Sequence, residues 1–104
     1  MVYTCRVIRY TFHVIRSFRH KGLRDLFMEG TSSGVRPDLQ KRASRLLNAL
    51  NQARALADLA YPGFGLHTLH GKPKRYAASV NGPWRITFEW IDGDAWRVDL
   101  EQYH

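Results

Sequence analysis

The stretch YAASVNGPWRITFEWIDGDAWRVDLE, residues 76–101, decides the fold of this chain. Apolar and polar residues alternate along each of its three runs, and successive side chains of a β-strand point to opposite faces of a sheet. The runs are separated by Asn81-Gly82 and Asp92-Gly93, two dipeptides that favour tight hairpin turns. The stretch therefore predicts an antiparallel sheet with one apolar face and one polar face.

The apolar side of these predicted strands carries Trp84, Trp90 and Trp96. We therefore expect all three tryptophans to lie in the core and not to serve as platforms for nucleotides. Further upstream, residues 14–18 (VIRSF) are short and partly alternating, which predicts an additional first strand.

A short helix is predicted before the sheet. Leu23, Leu26 and Phe27 are spaced three and four residues apart, as on one face of a helix. The spacing predicts a helix over residues 23–29 that ends at Gly30.

A second, longer helix is predicted to follow. Pro37 suits the first turn of a helix, and leucines and alanines then recur at helical spacing, which predicts an amphipathic helix over residues 37–58. Residues 61–65 (YPGFG) form a loop after it. Because helices precede strands, we expect an α+β fold: a compact single domain with two N-terminal helices packed on one face of a small antiparallel sheet.

Length and composition exclude several classes of protein. A chain of 104 residues is long enough for one small domain, and it contains no apolar run of the ~20 residues that span a bilayer. Its single cysteine, Cys5, rules out an internal disulfide framework and a cysteine-rich zinc site. These features predict a cytosolic protein without a membrane partner.

The net charge of +7 is concentrated near the amino terminus, because residues 1–24 contain six basic residues and no acid. Such an excess suits a polyanionic partner such as RNA, although ordinary solubility is the simpler explanation of the charge. The basic residues that we expect to contact RNA or the ribosome are Arg16, Arg19, Lys21, Lys72, Lys74 and Arg75.

No common catalytic or nucleotide-binding motif is present: the chain lacks GxGxxG, Walker A, HExxH and GxSxG patterns. His67 and His70 lie in a segment that resembles a loop, and a zinc site needs more ligands, so no metal site is predicted. A cluster on the polar sheet face is the remaining candidate, although loop and terminal histidines are often merely solvated. Its members are His67, His70, Lys72, Arg85, Gln102, Tyr103 and His104.

Four stretches resemble the HigB toxins of the RelE superfamily: IRSFRHKGLRDLFMEGTSSGV (15–35), GLHTLHG (65–71), NGPWRITFEWIDGDA (81–95) and the terminal QYH (102–104). Family members typically begin at the equivalent of Ile15. The resemblance therefore divides the chain into an N-terminal extension, residues 1–14, and a toxin domain, residues 15–104. It also makes Val14 a candidate start of translation.

The resemblance implies a bacterial, cytoplasmic toxin of a type II toxin–antitoxin system. Such a toxin enters the ribosomal A site and cleaves mRNA during translation, with no metal and no organic cofactor. Its implied partner is a HigA-type antitoxin, a helix-turn-helix protein that binds the toxin and represses the shared operon. Operator DNA is then contacted only through the antitoxin.

The resemblance also implies roles for individual residues. His67 and His104 are the expected proton-transfer pair, without an assignment of which is base and which is acid. Arg85 is expected to hold the scissile phosphate, because its planar guanidinium matches phosphate oxygens and stays ionised. Tyr103 is expected to stack on or orient a nucleotide.

Two positions depart from the family pattern. Gln102 stands where relatives commonly have aspartate, and glutamine neither carries a negative charge nor accepts a proton at pH 7. Neighbouring Glu101 is expected to point to the other side of a regular strand. His70 stands where relatives often have lysine, and Lys72 and Lys74 are candidates to compensate for its weaker grip on phosphate.

Two other functions stay open at this point. The first is a weakened or inactive toxin homologue that serves as an antitoxin-binding or RNA-binding module, which Gln102 favours. The second is a general RNA-binding domain that acts without ribosomes, for which a steep salt dependence on free RNA is the diagnostic.

Overall fold

An antiparallel meander of four strands forms one layer of the computed structural model, which describes residues 14–103. Strand order follows the chain, and every neighbouring pair is antiparallel. The three predicted strands are confirmed, while the first strand of the meander was not predicted. The strands are β1 (Leu66–Leu69), β2 (Arg75–Asn81), β3 (Trp84–Ile91) and β4 (Asp94–Gln102).

The turn between β3 and β4 is the predicted Asp92-Gly93 pair. Both residues have positive φ, 52° at Asp92 and 83° at Gly93, which is the backbone conformation of the favoured two-residue hairpin turn. The turn between β2 and β3 lies one residue later than predicted, at Gly82-Pro83, because Asn81 still pairs with Trp84.

The first helix, α1 (Lys21–Glu29), confirms the prediction and starts two residues earlier. His20 caps it, because its Nδ1 accepts the backbone N–H of Leu23 at 3.0 Å. The helix ends as predicted at Gly30, whose φ of 82° is a conformation that glycine adopts at little cost.

The second helix, α2 (Pro37–Gln52), begins at the predicted proline but is six residues shorter than predicted. Ala53 has an extended backbone, with φ −72° and ψ 135°. The Asp58 carboxylate then accepts the backbone N–H groups of Arg54 and Ala55 at 2.9 and 3.1 Å, which starts a separate 3₁₀ helix, Leu56–Leu59. No helix within residues 14–103 is long and apolar enough to cross a membrane.

The core lies between the helices and one face of the sheet, which confirms the predicted α+β architecture. Burial of each large apolar side chain contributes about 1.5–3 kcal/mol, so these contacts dominate the stability of the fold. The helices contribute Leu23, Leu26, Leu39, Leu46, Leu47 and Leu50, and the sheet contributes Ala78, Val80, Ile86, Phe88, Val98 and Leu100.

The predicted strand at residues 14–18 is wrong as a regular strand. Ile15 and Phe18 form only isolated parallel bridges to Ala95 and Val98 of β4. The backbone N–H groups of Val14 and Ile15 are bound by Asn51 Oδ1 of α2 at 2.9 and 3.1 Å, so they are diverted from a strand ladder. The segment covers the edge of β4. The predicted extension lies outside the described residues except for Val14.

The prediction that all three tryptophans lie in the core is wrong for Trp96. Trp84 and Trp90 pack against the core, whereas Trp96 pairs with Glu89 on the opposite face. The cause is a bulge in β4: Arg97 has φ 51°, and the register to β3 shifts between Thr87 and Glu89. Because side chains alternate between the two faces, one extra residue in a strand moves every side chain beyond the bulge to the opposite face from the one that regular alternation predicts.

Candidate active site on the open sheet face

The sheet face away from the helices carries the candidate site, and we call it the polar face. Its members follow from the strand register, because residues paired across antiparallel strands share a face. They include His67 on β1, Arg75 and Ser79 on β2, Arg85, Thr87 and Glu89 on β3, and Asp99 and Glu101 on β4.

His67 lies on strand β1, not in a loop as the sequence suggested. It is exposed and pairs with the small, fully buried Ala77 of β2. Its diagonal neighbours on β2 are Arg75 and Ser79, at Cα separations of about 7–8 Å. A shallow cavity of about 310 Å³ adjoins the imidazole, lined by Ala60, Tyr61, Pro62, Gly65, Leu66 and His67.

Arg85 and Tyr103 are brought together on the polar face. The Arg85 guanidinium donates a hydrogen bond to Ser79 Oγ, and its Cζ lies 5.6 Å from the centroid of the Tyr103 ring. The backbone N–H of Tyr103 donates to Pro83 O at 2.7 Å, which ties the end of the chain to the β2–β3 turn. The guanidinium is therefore fixed by a hydroxyl and an aromatic ring.

Glu101 is the centre of a second group on this face. Its Oε2 accepts from Arg75 Nη1 at 2.6 Å and from Thr87 Oγ1 at 2.5 Å. Burial alone raises the pKa of Glu101. This effect is outweighed by the hydrogen bonds from Thr87 and Arg75 and by the positive charges of Arg75 and Arg19, so the pKa lies below its usual value. The hydrogen bond with Glu101 is the main cause of the raised pKa of Arg75, and Tyr103 adds to it.

Glu101 and Gln102, at the end of β4, lie on the faces opposite to those expected. Glu101 pairs with Arg85 on the polar face, and the exposed Gln102 pairs with Trp84 on the other face. The register therefore does not bring Gln102 beside His67 and Arg85. Of these two residues, Glu101 is the one on the polar face, contrary to the expectation that it points away.

The remaining predicted residues are spread around this face. His70, Lys72 and Lys74 are exposed in the loop between β1 and β2. Arg16 and Lys21 are engaged elsewhere: Arg16 pairs with Asp94 at 3.0 Å, and Lys21 with Asp25 at 3.2 Å. His104 lies outside the described residues.

Arg19 lies at the edge of the polar face near Arg75, where it lines a second cavity. This cavity measures about 540 Å³ and is lined by Arg19, Pro73, Arg75, Glu89, Ile91 and Arg97.

Sequence reasoning missed Ser79, Thr87 and Glu101 as members of the site. The signal was present in the alternation itself, which assigns Thr87 and Glu101 to the same polar side as Arg85. Tyr61 was also missed, although it is a large residue that is 44% exposed at the rim of the cavity beside His67.

The fold and the polar face define a class: a small, basic α+β protein with arginines, a tyrosine and a histidine on one open sheet face. The family model described as RelE-like toxin of type II toxin-antitoxin system HigB matches residues 16–104. The chain is also 39% identical to the endoribonuclease HigB of Proteus vulgaris over an alignment of 92 residues. The alignment covers 88% of this chain and 100% of that protein. The chain therefore belongs to the HigB-like toxin family, and membership of a type II system implies an antitoxin partner.

Proposed function

We propose that this protein is an endoribonuclease toxin that cleaves mRNA in the ribosomal A site and so stops translation. Family membership supports a toxin, and the full-length match to a protein named endoribonuclease supports the activity. The observation that carries the proposal is the polar face, where His67, Arg85 and Tyr103 share one exposed surface.

RNA cleavage by attack of the 2′-hydroxyl has three chemical requirements. The 2′-oxygen bonds to phosphorus as a base removes its proton, the bond from phosphorus to the 5′-oxygen breaks, and an acid protonates that leaving oxygen. The products are a 2′,3′-cyclic phosphate and a free 5′-hydroxyl. Negative charge develops on the phosphate oxygens, and a fixed cation stabilises it.

In this proposal, one of His67 and His104 removes the proton of the 2′-hydroxyl and the other donates a proton to the 5′-oxygen, since imidazole is an acid and a base near neutral pH. Arg85 holds the scissile phosphate. Its contacts with Ser79 and Tyr103 support that role, because a guanidinium held in advance does not have to be ordered when RNA binds. Tyr103 orients Arg85 and the bound nucleotide.

The proposed partners are the translating ribosome with its mRNA and a HigA-type helix-turn-helix antitoxin, through which operator DNA is contacted. The proposed location is the bacterial cytoplasm, because translating ribosomes are found there. The exposed loop with His70, Lys72 and Lys74 follows β1 directly and is proposed to contact the RNA backbone near His67. Electrostatic contacts of this kind are expected to weaken as salt increases.

The test is mRNA cleavage in a reconstituted translation reaction, with and without ribosomes. The wild type is compared with His67→Ala and with the matched control Lys41→Ala, an exposed change on α2 behind the sheet. We expect cuts only with ribosomes, unchanged in the control and lost in His67→Ala.

Other results of this experiment favour the other functions. A folded wild type that binds the antitoxin and cuts nothing favours an inactive, antitoxin-binding homologue. Tight binding to free RNA without any ribosome dependence favours a general RNA-binding domain.

A further inference from the structure

The Arg75 side chain is directed along the polar face by Glu101. Arg75 and Ser79 lie on the same strand, four residues apart, which corresponds to about 14 Å of extended chain. Ser79 is the residue opposite Arg85. Yet Arg75 Nη1 lies 2.6 Å from Glu101, whose Cα is also paired with that of Arg85. The Arg75 side chain therefore extends toward Arg85.

Thr87 fixes Glu101 in turn. Thr87 is fully buried at the middle of β3, and its hydroxyl lies 2.5 Å from the same Oε2 atom that accepts from Arg75. The Oε2 atom of Glu101 thus accepts hydrogen bonds from Arg75 on β2 and from Thr87 on β3. A long arginine side chain without such a partner samples many rotamers, and ordering it on binding costs free energy.

Arg75 keeps donors for a ligand despite this ion pair. A guanidinium has five N–H groups, and the hydrogen bond to Glu101 is made through Nη1. About a third of each side chain is exposed, 33% for Arg75 and 28% for Glu101. Tyr103 lies beside the neighbouring arginine, because the Cζ atom of Arg85 is 5.6 Å from the centroid of its ring.

We propose that Glu101 is a positioning residue that holds the Arg75 guanidinium on the Arg85 side of the polar face, where Arg75 binds the RNA phosphate next to the one held by Arg85. The proposal rests on the proposed function in taking RNA as the ligand. Glu101 thereby places a carboxylate beside Arg75 and Arg85, whereas the family resemblance led us to expect one at position 102. It acts through Arg75 and takes no proton from the substrate.

The test is a double-mutant cycle with Glu101→Gln, Arg75→Gln and the combined variant. Binding is measured to ribosomes programmed with an mRNA that carries a 2′-deoxynucleotide at the cut site, so that affinity is read without cleavage. The kcat and KM for ordinary mRNA are measured in parallel. The control is Asp38→Asn, which breaks the Arg36–Asp38 ion pair of 3.0 Å at the start of α2, away from the polar face.

We expect Glu101→Gln and Arg75→Gln each to weaken binding about tenfold and to raise KM more than they lower kcat. The combined variant should bind no more weakly than Arg75→Gln, because Glu101 acts through Arg75. Asp38→Asn should change the melting temperature little and leave binding unchanged, because an exposed ion pair on the helix layer is lost.

Additive losses in the combined variant would overturn the proposal, as would wild-type binding by Glu101→Gln. If the wild type binds programmed ribosomes and cuts nothing, the proposed nuclease function fails while the cycle still decides the role of Glu101. A wild type that does not bind programmed ribosomes overturns both.

Discussion

The two faces of this sheet belong to the same strands and differ in what holds their side chains in place. On the face under the helices, Ile86 and Phe88 are held by close packing among apolar neighbours. On the polar face, the intervening Arg85 and Thr87 are held by individual hydrogen bonds to Ser79 and Glu101. Packing tolerates changes that preserve volume, whereas a hydrogen bond requires a particular atom at a particular place. The helical face should therefore govern stability and the polar face activity.

The largest expected effect is on the helical face, with Phe88→Ala. Phe88 is fully buried, and its ring centroid lies 5.9 Å from that of Tyr76 and 6.4 Å from those of Phe64 and Trp90. Truncation leaves a cavity among these rings and should lower the free energy of unfolding by about 3–5 kcal/mol. Urea denaturation measures it. Met28→Ala, at a side chain that is 66% exposed, should change little, and equal effects at the two sites would contradict the comparison.

Arg85→Ala, on the polar face, should reduce activity strongly and stability little. Loss of the fixed guanidinium should reduce the rate of mRNA cleavage by about 10²–10³-fold, in the range found for removal of one charge-stabilising donor. The free energy of unfolding should change by less than about 1 kcal/mol, because the residue is only half-buried. Single-turnover cleavage and urea denaturation are to be measured on the same preparation. A large loss of stability with little loss of rate would assign Arg85 to the fold.

Asn51→Ala tests whether a residue of the helix layer also helps to position Arg19 at the polar face. Asn51 Oδ1 binds the backbone N–H groups of Val14 and Ile15 at 2.9 and 3.1 Å and so docks the segment that carries Arg19. Loss of both hydrogen bonds should destabilise the protein by about 1–3 kcal/mol. Amide hydrogen exchange should speed up at Arg16 and Arg19, which donate to β4, while the exposed neighbour Gln52→Ala serves as control. Unchanged exchange would mean that the segment docks without Asn51.

The smallest effect is a pH dependence on the polar face. The folded pKa of Glu101 lies below its usual value, so its stabilising contribution is complete above the unfolded pKa of about 4.3 and is lost as pH falls through the folded value. Relative to Glu101→Gln, the wild type should be more stable by less than about 1 kcal/mol at pH 7. The difference in melting temperature should shrink steadily as pH falls below about 4.3. A difference that grows on acidification would have the wrong sign.

Much of the fold could be predicted because its signals are local. The alternation in residues 76–101 and the Asp92-Gly93 turn predict the last three strands, since side-chain direction in a strand depends on the backbone of the strand itself. The end of α1 at Gly30 follows in the same way from one backbone conformation. The break at Ala53 was missed, because its cause is an acceptor on Asp58, several residues beyond a continuous helical pattern.

The sequence by itself determined the type of fold, the chemistry available to the site and the family, because composition, periodicity and motifs are all read along one chain. Tertiary structure alone decided which of those residues meet. His67 joins the site only through the pairing of β1 with β2, and Glu101 reaches Arg75 across 26 residues of sequence. The bulge at Arg97 turns Trp96 away from the core. Register and bulges follow from how whole strands fit together, and no local pattern specifies that fit.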